Sequence, residues 1–356
     1  MKRMSWSPRE SFTRVIESMA PVLQIVLGVA IAYSFSFFVL QHAIPMFAVT
    51  VTISALGFTR DARPRRILET AFGMIVGIAL SEILMLLIGK GVWQIALTLL
   101  LALITARFIS GSASFAVTVG IQSMLVQLLA VPPGGIFVRT IDGVVGGVTA
   151  LVVTALIPRD PRGLAVQDAE KLFGVFLASL DSLRLATRDV NILVADEALR
   201  KVRRTQPLID NWRMSLDSAI SISRISPFLR KHRDELSGQV RLMRGMDLAT
   251  RNLRVVARRI DFVLRDGNAR PYLADLFEQL TAAVNVLQTS LEEPEALRDA
   301  QEMFVEIIHQ LDPKRHGIAD QIAEASVLLL LRPMLVDLLC ASGMSEDDAR
   351  AELPEV

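Results

Sequence analysis

One stretch decides how this chain folds: Arg66-Ile67-Leu68-Glu69-Thr70-Ala71-Phe72-Gly73-Met74-Ile75-Val76-Gly77. It opens an apolar segment with an arginine, an acid three residues later and then a stripe of small residues. The same order of arginine, acid and glycine recurs 73 residues further on, in Arg139-Thr140-Ile141-Asp142-Gly143-Val144-Val145-Gly146. A polar element repeated at the start of two hydrophobic segments is typical of a transporter or channel.

The apolar residues are concentrated in the first 160 positions of the 356-residue chain. Mean hydropathy is +0.43 and 52% of all residues are hydrophobic. Residues 1–160 hold 12 Lys or Arg and 7 Asp or Glu, whereas the whole chain holds 38 and 37. The sequence therefore predicts a membrane half followed by a soluble half, and its net charge of +1 gives no indication of nucleic acid binding.

The sequence shows none of the residue arrangements that carry the common kinds of enzyme chemistry. The one cysteine, Cys340, excludes an intrachain disulfide, and the four histidines lack the spacing of metal ligands. No Gly-x-x-x-x-Gly-Lys-Ser/Thr loop and no nucleophile–base arrangement occurs. We therefore expect a protein that is not an enzyme and that uses no metal or cofactor.

Apolar segments of about 20 residues, the length that crosses a bilayer core, predict six transmembrane helices. The second and fifth segments are the short ones. The predicted spans cover residues 20–40, 43–58, 66–88, 91–108, 113–131 and 137–157. Because no strand pattern of any length occurs, the predicted fold class is all-α, a polytopic membrane protein with a soluble helical bundle.

Charged loops predict the orientation of these spans. Residues 59–66 hold four arginines and one aspartate, and Pro158-Arg159-Asp160-Pro161-Arg162 follows the last span, whereas the alternate loops are short and nearly uncharged. The positive-inside rule then places both termini in the cytoplasm. The predicted domains are a cytoplasmic N-terminus at 1–19, a transmembrane domain at 20–160 and a cytoplasmic helical domain at 161–356.

The 73-residue offset relates the first three spans to the last three. Shifting residues 43–58 by 73 gives 116–131, within the fifth span, and residues 66–88 shift onto the sixth. Because three is odd, the second copy enters the membrane from the opposite side. This is an inverted repeat, whose binding site usually lies near the midplane at the repeat interface, with Arg66 and Arg139 at opposite faces.

The soluble half shows helical periodicity throughout. The leucine-rich segment Leu273 to Leu291 repeats apolar residues at steps of three and four, which suits helix packing. Residues 326–341 are very apolar, but Arg332-Pro333 interrupts them. They are too short for a span, so we predict a buried helix of the bundle there.

The repeated stretch supplies the first candidate residues. Gly73, Gly77, Gly143 and Gly147 allow close helix approach, so packing seams are their favoured interpretation. The two arginine–acid sets are interpreted either as local ion pairs that reduce the cost of insertion or as anion contacts and gates. These candidates are Arg66, Glu69, Arg139 and Asp142.

Other polar residues within the spans provide further candidates. Glu82 is an ionisable residue that should not face lipid, and proton coupling competes with placement near the headgroups. The short second and fifth spans correspond in the repeat, and short matched segments indicate a transport site. They offer Thr50 and Gln122 as uncharged groups for a carboxylate or hydroxyl.

A known family shares several of these features. Residues 44–51, the basic loop and the stretch from Arg66 to Gly77 resemble the fusaric acid resistance and aromatic acid exporter family. Thr50, Arg66 and Thr70 with Gly73 match its pattern, whereas Glu69 stands where the family tends to have glycine. The second copy matches more loosely, and the resemblance covers about residues 20–160.

The resemblance implies an inner-membrane exporter of aromatic or other hydrophobic carboxylates that is driven by an ion gradient. Some relatives carry two membrane halves in one chain, so a homodimer within membrane lipid is expected, with a small organic anion as substrate. The plant malate-channel family has a similar layout, which makes a passive anion channel the first alternative. A membrane-anchored scaffold that binds a partner through its helical domain is the second.

Overall fold

The computed structural model describes residues 8–57, 64–131, 134–135, 137–156, 161–224 and 233–355, and every regular element among them is helical. The chain divides into two compact units, Met1–Arg159 with Ser221–Arg230 and Asp160–Ile220 with Lys231–Val356. The predicted fold class, an all-α polytopic membrane protein, is confirmed.

The first unit contains six α-helices and one π-helical segment among its described residues. They are α1 (Pro8–Ser34), the π segment (Phe35–Val39), α2 (Met46–Leu56), α3 (Pro64–Ile88), α4 (Val92–Ile109), α5 (Ala113–Leu128) and α6 (Val138–Leu156). Four of these regions are long and apolar enough to cross a membrane: Met19–Val39, Pro64–Ile88, Val92–Ile109 and Val138–Leu156.

Helices α2 and α5 are shorter than the sequence predicts. Their 11 and 16 residues extend over roughly 17 Å and 24 Å at ~1.5 Å per residue, less than the ~30 Å of a bilayer core. Pro45 precedes α2 and Gly57 ends it with a φ of +46°, a conformation that favours glycine. At α5, the Ser112 side chain caps the N-terminus by accepting from the Phe115 amide.

The packing of the six helices follows the 73-residue repeat. Helix α1 packs on α2 and α6, and its counterpart α4 packs on α5 and α3. In the same way α2 packs on α6, and α5 packs on α3, while α3 and α6 contact each other. Exchanging α1–α3 for α4–α6 turns each of these pairs into another one, or for α3–α6 into itself, as a two-fold related repeat requires. The contact between α2 and α3 departs from this pattern, because the described residues of α5 and α6 make no comparable contact.

The second unit is a helical bundle around one apolar core. Its helices are α7 (Pro161–Asp189), α8 (Ile192–Arg203), α9 (Gln206–Ser223, of which the residues from Ser221 onward belong to the first unit), α10 (Arg233–Val263), α11 (Pro271–Thr289), α12 (Ala296–Ile308), α13 (Ile322–Ser342) and α14 (Glu346–Ala351). Trp212, Phe173 and Phe277 are among the largest side chains that this core buries completely.

Helix α13 has the length and composition of a membrane span, yet it packs inside the bundle. It contacts α10, α12 and α14, and Leu331, Met334 and Leu338 on it are fully buried in the common core. Pro333 lies within it and Asp337 is half-buried. The structure thus places a buried bundle helix here, as the interrupted apolar run predicts.

Candidate functional site

A cavity of about 680 Å³ opens at one end of the first unit, where α2 ends and α3 and α5 begin. We call it the vestibule. Hydroxyl side chains from α2, α3, α5 and the α4–α5 turn line it, together with Arg65, Arg66, Glu69 and the Phe115 ring. A wall of hydroxyls, guanidinium groups and one aromatic ring suits a small organic anion.

The arginine–acid contact in the vestibule differs from the expected one. Glu69 accepts a hydrogen bond from Nε of Arg65 at 2.8 Å. Its described partner therefore lies four residues earlier, whereas the repeated motif places Arg66 three residues earlier. A helix brings residues four apart onto nearly the same side. Both side chains of the Arg65–Glu69 pair are exposed, at 89% and 56%, and such a pair contributes only about 0–1 kcal/mol.

A line of polar side chains leads from the vestibule into the unit along α5. Ser114, Thr118 and Gln122 are spaced four residues apart, so they share one face of the helix. Ser114 is exposed, Thr118 is half-buried and Gln122 is 3% exposed. On α2, Ser54 lines the vestibule and Thr50 lies one turn deeper. This gradient joins water to the interior of the unit.

The line ends where the two short helices meet. Thr50 donates from Oγ1 to Oε1 of Gln122 at 3.3 Å, and Thr50 also contacts the Phe47 carbonyl at 3.4 Å. The structure therefore brings together the two uncharged residues that the sequence singles out on the short helices. We call this hydrogen bond, which lies one helical turn beyond the lining residues Ser54 and Thr118, the floor of the vestibule.

Arg139 lies at the start of α6 and is 95% buried. Its Nη1 donates to the Val126 carbonyl at 2.7 Å and its Nη2 to the Ala130 carbonyl at 2.5 Å, with a longer contact of 3.3 Å to Leu129. These are carbonyls at the C-terminal end of α5, where a cation complements the helix dipole. The Phe47 ring centre is 5.8 Å from the guanidinium carbon.

Arg139 and Asp142, for which a local ion pair is one of the two interpretations from the sequence, have different described partners in the structure. Asp142, 2% exposed, has its Oδ1 at 2.8 Å from Nδ1 of His42, in the connection between α1 and α2. Arg139 turns to the end of α5 because that helix stops there and leaves carbonyls without helical partners. No pattern in the sequence singles out His42, because it lacks metal-ligand spacing and stands in an otherwise uncharged loop.

Glu82 is covered by protein instead of facing lipid. It is 1% exposed, and its Oε2 accepts from the Thr140 hydroxyl at 2.6 Å and from the Thr140 amide at 3.3 Å. Thr140 belongs to the first turn of α6, where a carboxylate complements the helix N-terminus. We call His42, Glu82, Arg139 and Asp142 the buried cluster.

The four candidate packing glycines lie at helix contacts of the first unit. A Cβ on Gly73 would enter the Phe115 ring of α5, and one on Gly77 would lie 2.7 Å from Val119 of the same helix. On α6, Gly143 faces isoleucines of α3, and Gly147 faces Ala71 of α3.

The closest backbone approach involves Gly146 on α6. A Cβ at this position would lie 2.5 Å from the Ala48 carbonyl oxygen of α2. The Thr52 hydroxyl donates to the Gly146 carbonyl at 3.1 Å, and across the other interface the Ser123 hydroxyl donates to the Gly77 carbonyl at 3.1 Å. Hydroxyl-to-carbonyl bonds thus join α2 to α6 and α5 to α3, which are matching pairs of the repeat.

Fold and site define an all-α, multi-pass membrane protein with a polar vestibule and a buried ionisable cluster; among the described residues, no group of His, Cys, Asp and Glu could hold a metal ion. Residues 22–153 match the family described as fusaric acid resistance protein-like, which confirms the resemblance over these residues and suggests a membrane transporter or exporter family.

A similar full-length relative has no assigned function. It is the "Uncharacterized protein Cgl2769/cg3067" of Corynebacterium glutamicum, which is 26% identical over 361 residues, covering 99% of this chain and 92% of that protein. The similarity therefore extends through both units.

Proposed function

We propose that this chain is a secondary-active transporter that exports aromatic or other hydrophobic carboxylates across the inner membrane. The observation that carries the proposal is the vestibule with its floor, in a unit of which residues 22–153 match the fusaric acid resistance protein-like family. The vestibule volume of about 680 Å³ lies within the range of small-molecule sites, roughly 300–1,000 Å³.

The vestibule chemistry fits an aromatic carboxylate. Guanidinium groups bind carboxylates through paired hydrogen bonds, and Arg65 and Arg66 both line the wall. Because Glu69 is the one acidic side chain described there, the two arginines leave a net positive wall. The Phe115 ring offers an aromatic surface against which the body of the ligand stacks.

The proposed direction of transport follows from the charged loops. The positive-inside rule places the arginine-rich start of α3, and with it the vestibule, at the cytoplasmic face. The buried cluster then lies toward the opposite face. An anion entering from the cytoplasm meets the vestibule first, reaches Thr50 and Gln122, and leaves past the cluster, with Arg139 as a gate residue whose hydrogen bonds hold the end of α5.

Transport assays with purified protein in liposomes test the proposal. Labelled fusaric acid and benzoate serve as aromatic probes, and malate serves as the probe for an anion channel. We expect efflux of the aromatic probes that a proton gradient drives uphill. Efflux that follows membrane voltage alone would identify the passive channel instead, since an outward-moving anion gains about 2.3 kcal/mol per 100 mV.

Substitutions in the vestibule separate transport from a scaffold role. Arg66→Ala and a Thr50→Val, Gln122→Leu double variant should reduce aromatic efflux. Arg298→Ala is the matched control, because Arg298 pairs with Glu302 on an exposed face of α12. If the vestibule variants transport as the control does, while deletions after residue 163 abolish function, the scaffold hypothesis replaces this one.

A further inference from the structure

The charges of the buried cluster do not balance when His42 is neutral. With both carboxyl groups ionised, Glu82 and Asp142 carry two negative charges against the one positive charge of Arg139, and the exposures of Arg139, Glu82 and Asp142 are 5%, 1% and 2%. A net negative charge held within the membrane region is costly, so such groups are expected to be compensated. One added proton makes the cluster neutral.

His42 is the group placed to take that proton. Its Nδ1 lies 2.8 Å from Oδ1 of Asp142, and because a carboxylate only accepts hydrogen bonds, Nδ1 carries the hydrogen. Nε2 of the neutral ring then has a lone pair available. The His42 side chain is 15% exposed, in contrast to its nearly sealed partner, so the ring connects the cluster to the surface.

A second observation at the same place is independent of the charges. The His42 amide donates to the Ser36 carbonyl at 3.1 Å, within the π segment that ends α1. The Ser36 hydroxyl is fully buried and has no hydrogen-bond partner among the described residues. A π-helical turn and an unpartnered buried hydroxyl are features that occur at functional sites, where a bound species or water completes the hydrogen bonding.

The neighbouring elements supply few other charges. Helix α3 contributes Glu82, and α6 contributes Arg139 and Asp142. The exposed Lys90, in the α3–α4 turn, donates to the Leu129 carbonyl at 2.5 Å, one of the carbonyls that Arg139 contacts. The described parts of α2 and α5, and α1 from residue 19 onward, contain no acidic or basic side chain.

We infer that His42 and Asp142 form the proton-binding site through which an ion gradient drives the proposed export, an inference that rests on the proposed function. A proton from external water adds to Nε2 of His42, and the ring becomes an imidazolium. The Nδ1–H group of His42 continues to donate its hydrogen bond to Asp142. The proton leaves from Nε2 when the site opens to the other side. One proton thus enters as an organic anion leaves.

Glu82, the residue expected from the sequence to couple protons, has a different role in this scheme. Its carboxylate accepts two hydrogen bonds from Thr140 and interacts electrostatically with Arg139. In this scheme the exchanged proton belongs to the His42–Asp142 pair, whose histidine side chain is 15% exposed whereas Glu82 is 1% exposed.

The first test compares two kinds of transport in liposomes, using labelled benzoate. His42→Gln should keep benzoate exchange, which needs no net proton movement, but lower proton-driven efflux relative to exchange by about tenfold or more, within the range of coupled sites. His309→Gln is the matched control, because His309 contacts Glu352 at 2.8 Å outside the first unit. A His42→Gln variant with the wild-type ratio would overturn the inference and leave the export proposal intact.

The second test remains decisive even when His42→Gln does not fold. A variant with His232→Gln, His309→Gln and His316→Gln retains His42 as its one histidine, and nitrogen-15 NMR of that ring reads its protonation directly. We expect the ring to change its protonation state when benzoate is added at constant pH. An imidazole that changes with neither pH nor benzoate excludes the proton-binding role.

The two failures are distinguishable. If wild-type liposomes show no gradient-driven efflux of fusaric acid or benzoate, the proposed function fails whatever His42 does. If the wild type exports and the His42 ring never titrates, only the inference about the pair fails.

Discussion

At the scale of single residues, Arg139 shows how one side chain serves two helices. It starts α6, yet its hydrogen bonds go to the end of α5, and Glu82 and Phe47 surround it. An arginine suits this place better than a lysine because its planar fork reaches two carbonyls at once. The arginine that the repeat predicts as a gate is thus also a cap for a short helix.

We expect Arg139→Gln to destabilise the first unit by about 2–5 kcal/mol, since it leaves Glu82 without its counter-charge and buried carbonyls without donors. Arg139→Lys should lose less. The measurement is thermal unfolding of the full chain in detergent. Arg107→Gln is the control, because Arg107 also donates to a carbonyl beyond a helix end, that of Gly111 at 2.6 Å, but is exposed. Equal losses in Arg139→Gln and Arg107→Gln would contradict this account.

At the scale of helices, close packing depends on positions without side chains. Gly146→Ala places a Cβ against the Ala48 carbonyl, which is backbone and cannot move aside. We expect a loss of about 1–3 kcal/mol, the usual cost of overpacking. In the control, Gly174→Ala on α7, a Cβ meets nothing within 4 Å, so a gain of about 0.5–1 kcal/mol follows from helix propensity. The measurement is the unfolding of both variants. Losses of similar size in Gly146→Ala and Gly174→Ala would refute the packing argument.

Helix α13 carries a pH-dependent stability. Burial raises the pKa of Asp337 to about 6, and nearby Glu346 adds to the rise, although Asn252 donates a hydrogen bond at 2.6 Å. The folded chain therefore holds this proton more tightly than the unfolded chain does. The resulting stabilisation is complete below about pH 4 and is lost as the pH rises through about 6.

Asp337→Asn should remove that dependence and stabilise α13 by roughly 1–3 kcal/mol above pH 7. Hydrogen exchange of the α13 amides between pH 4.5 and 8, corrected for intrinsic rates, measures it. The exposed Asp347→Asn serves as the control and should leave the wild-type profile unchanged. A profile for Asp337→Asn that still falls between pH 4 and 6 would assign the effect to another group.

At the scale of the whole molecule, the arrangement of charged loops predicts which end faces the cytoplasm. In a Cys340→Ser background, Lys90→Cys should react with a membrane-impermeant maleimide added to intact cells, because Lys90 is exposed in the α3–α4 turn. Ser110→Cys, half-buried in the lining of the vestibule, should react only after permeabilisation. Labelling in the reverse order would invert the proposed orientation and the direction of transport.

Much of this architecture is readable from local sequence, and the buried cluster is not. Hydropathy locates the membrane helices, and correspondence between the short segments selects Thr50 and Gln122. Pro45 and Gly57 bound α2 inside the predicted span of residues 43–58, so the exact ends of this helix did not follow from hydropathy. The contact between His42 and Asp142 joins residues 100 positions apart, so no local pattern encodes it. The hydrogen-bond partners of Arg139 depend on the residue at which α5 ends. Hydropathy does not locate a helix end to the exact residue, so the sequence does not predict these partners.

The vestibule also has an electrical consequence. Water that fills it carries the potential of its own side as far as Ser54 and Thr118, each one helical turn short of the hydrogen bond between Thr50 and Gln122. The membrane voltage then falls across the protein beyond these residues, a layer thinner than the full ~30 Å of hydrocarbon. An ion that moves only the short distance through this layer therefore experiences most of the voltage, about 2.3 kcal/mol per charge per 100 mV. A small local displacement is enough to couple the protein to the energy stored across the whole membrane.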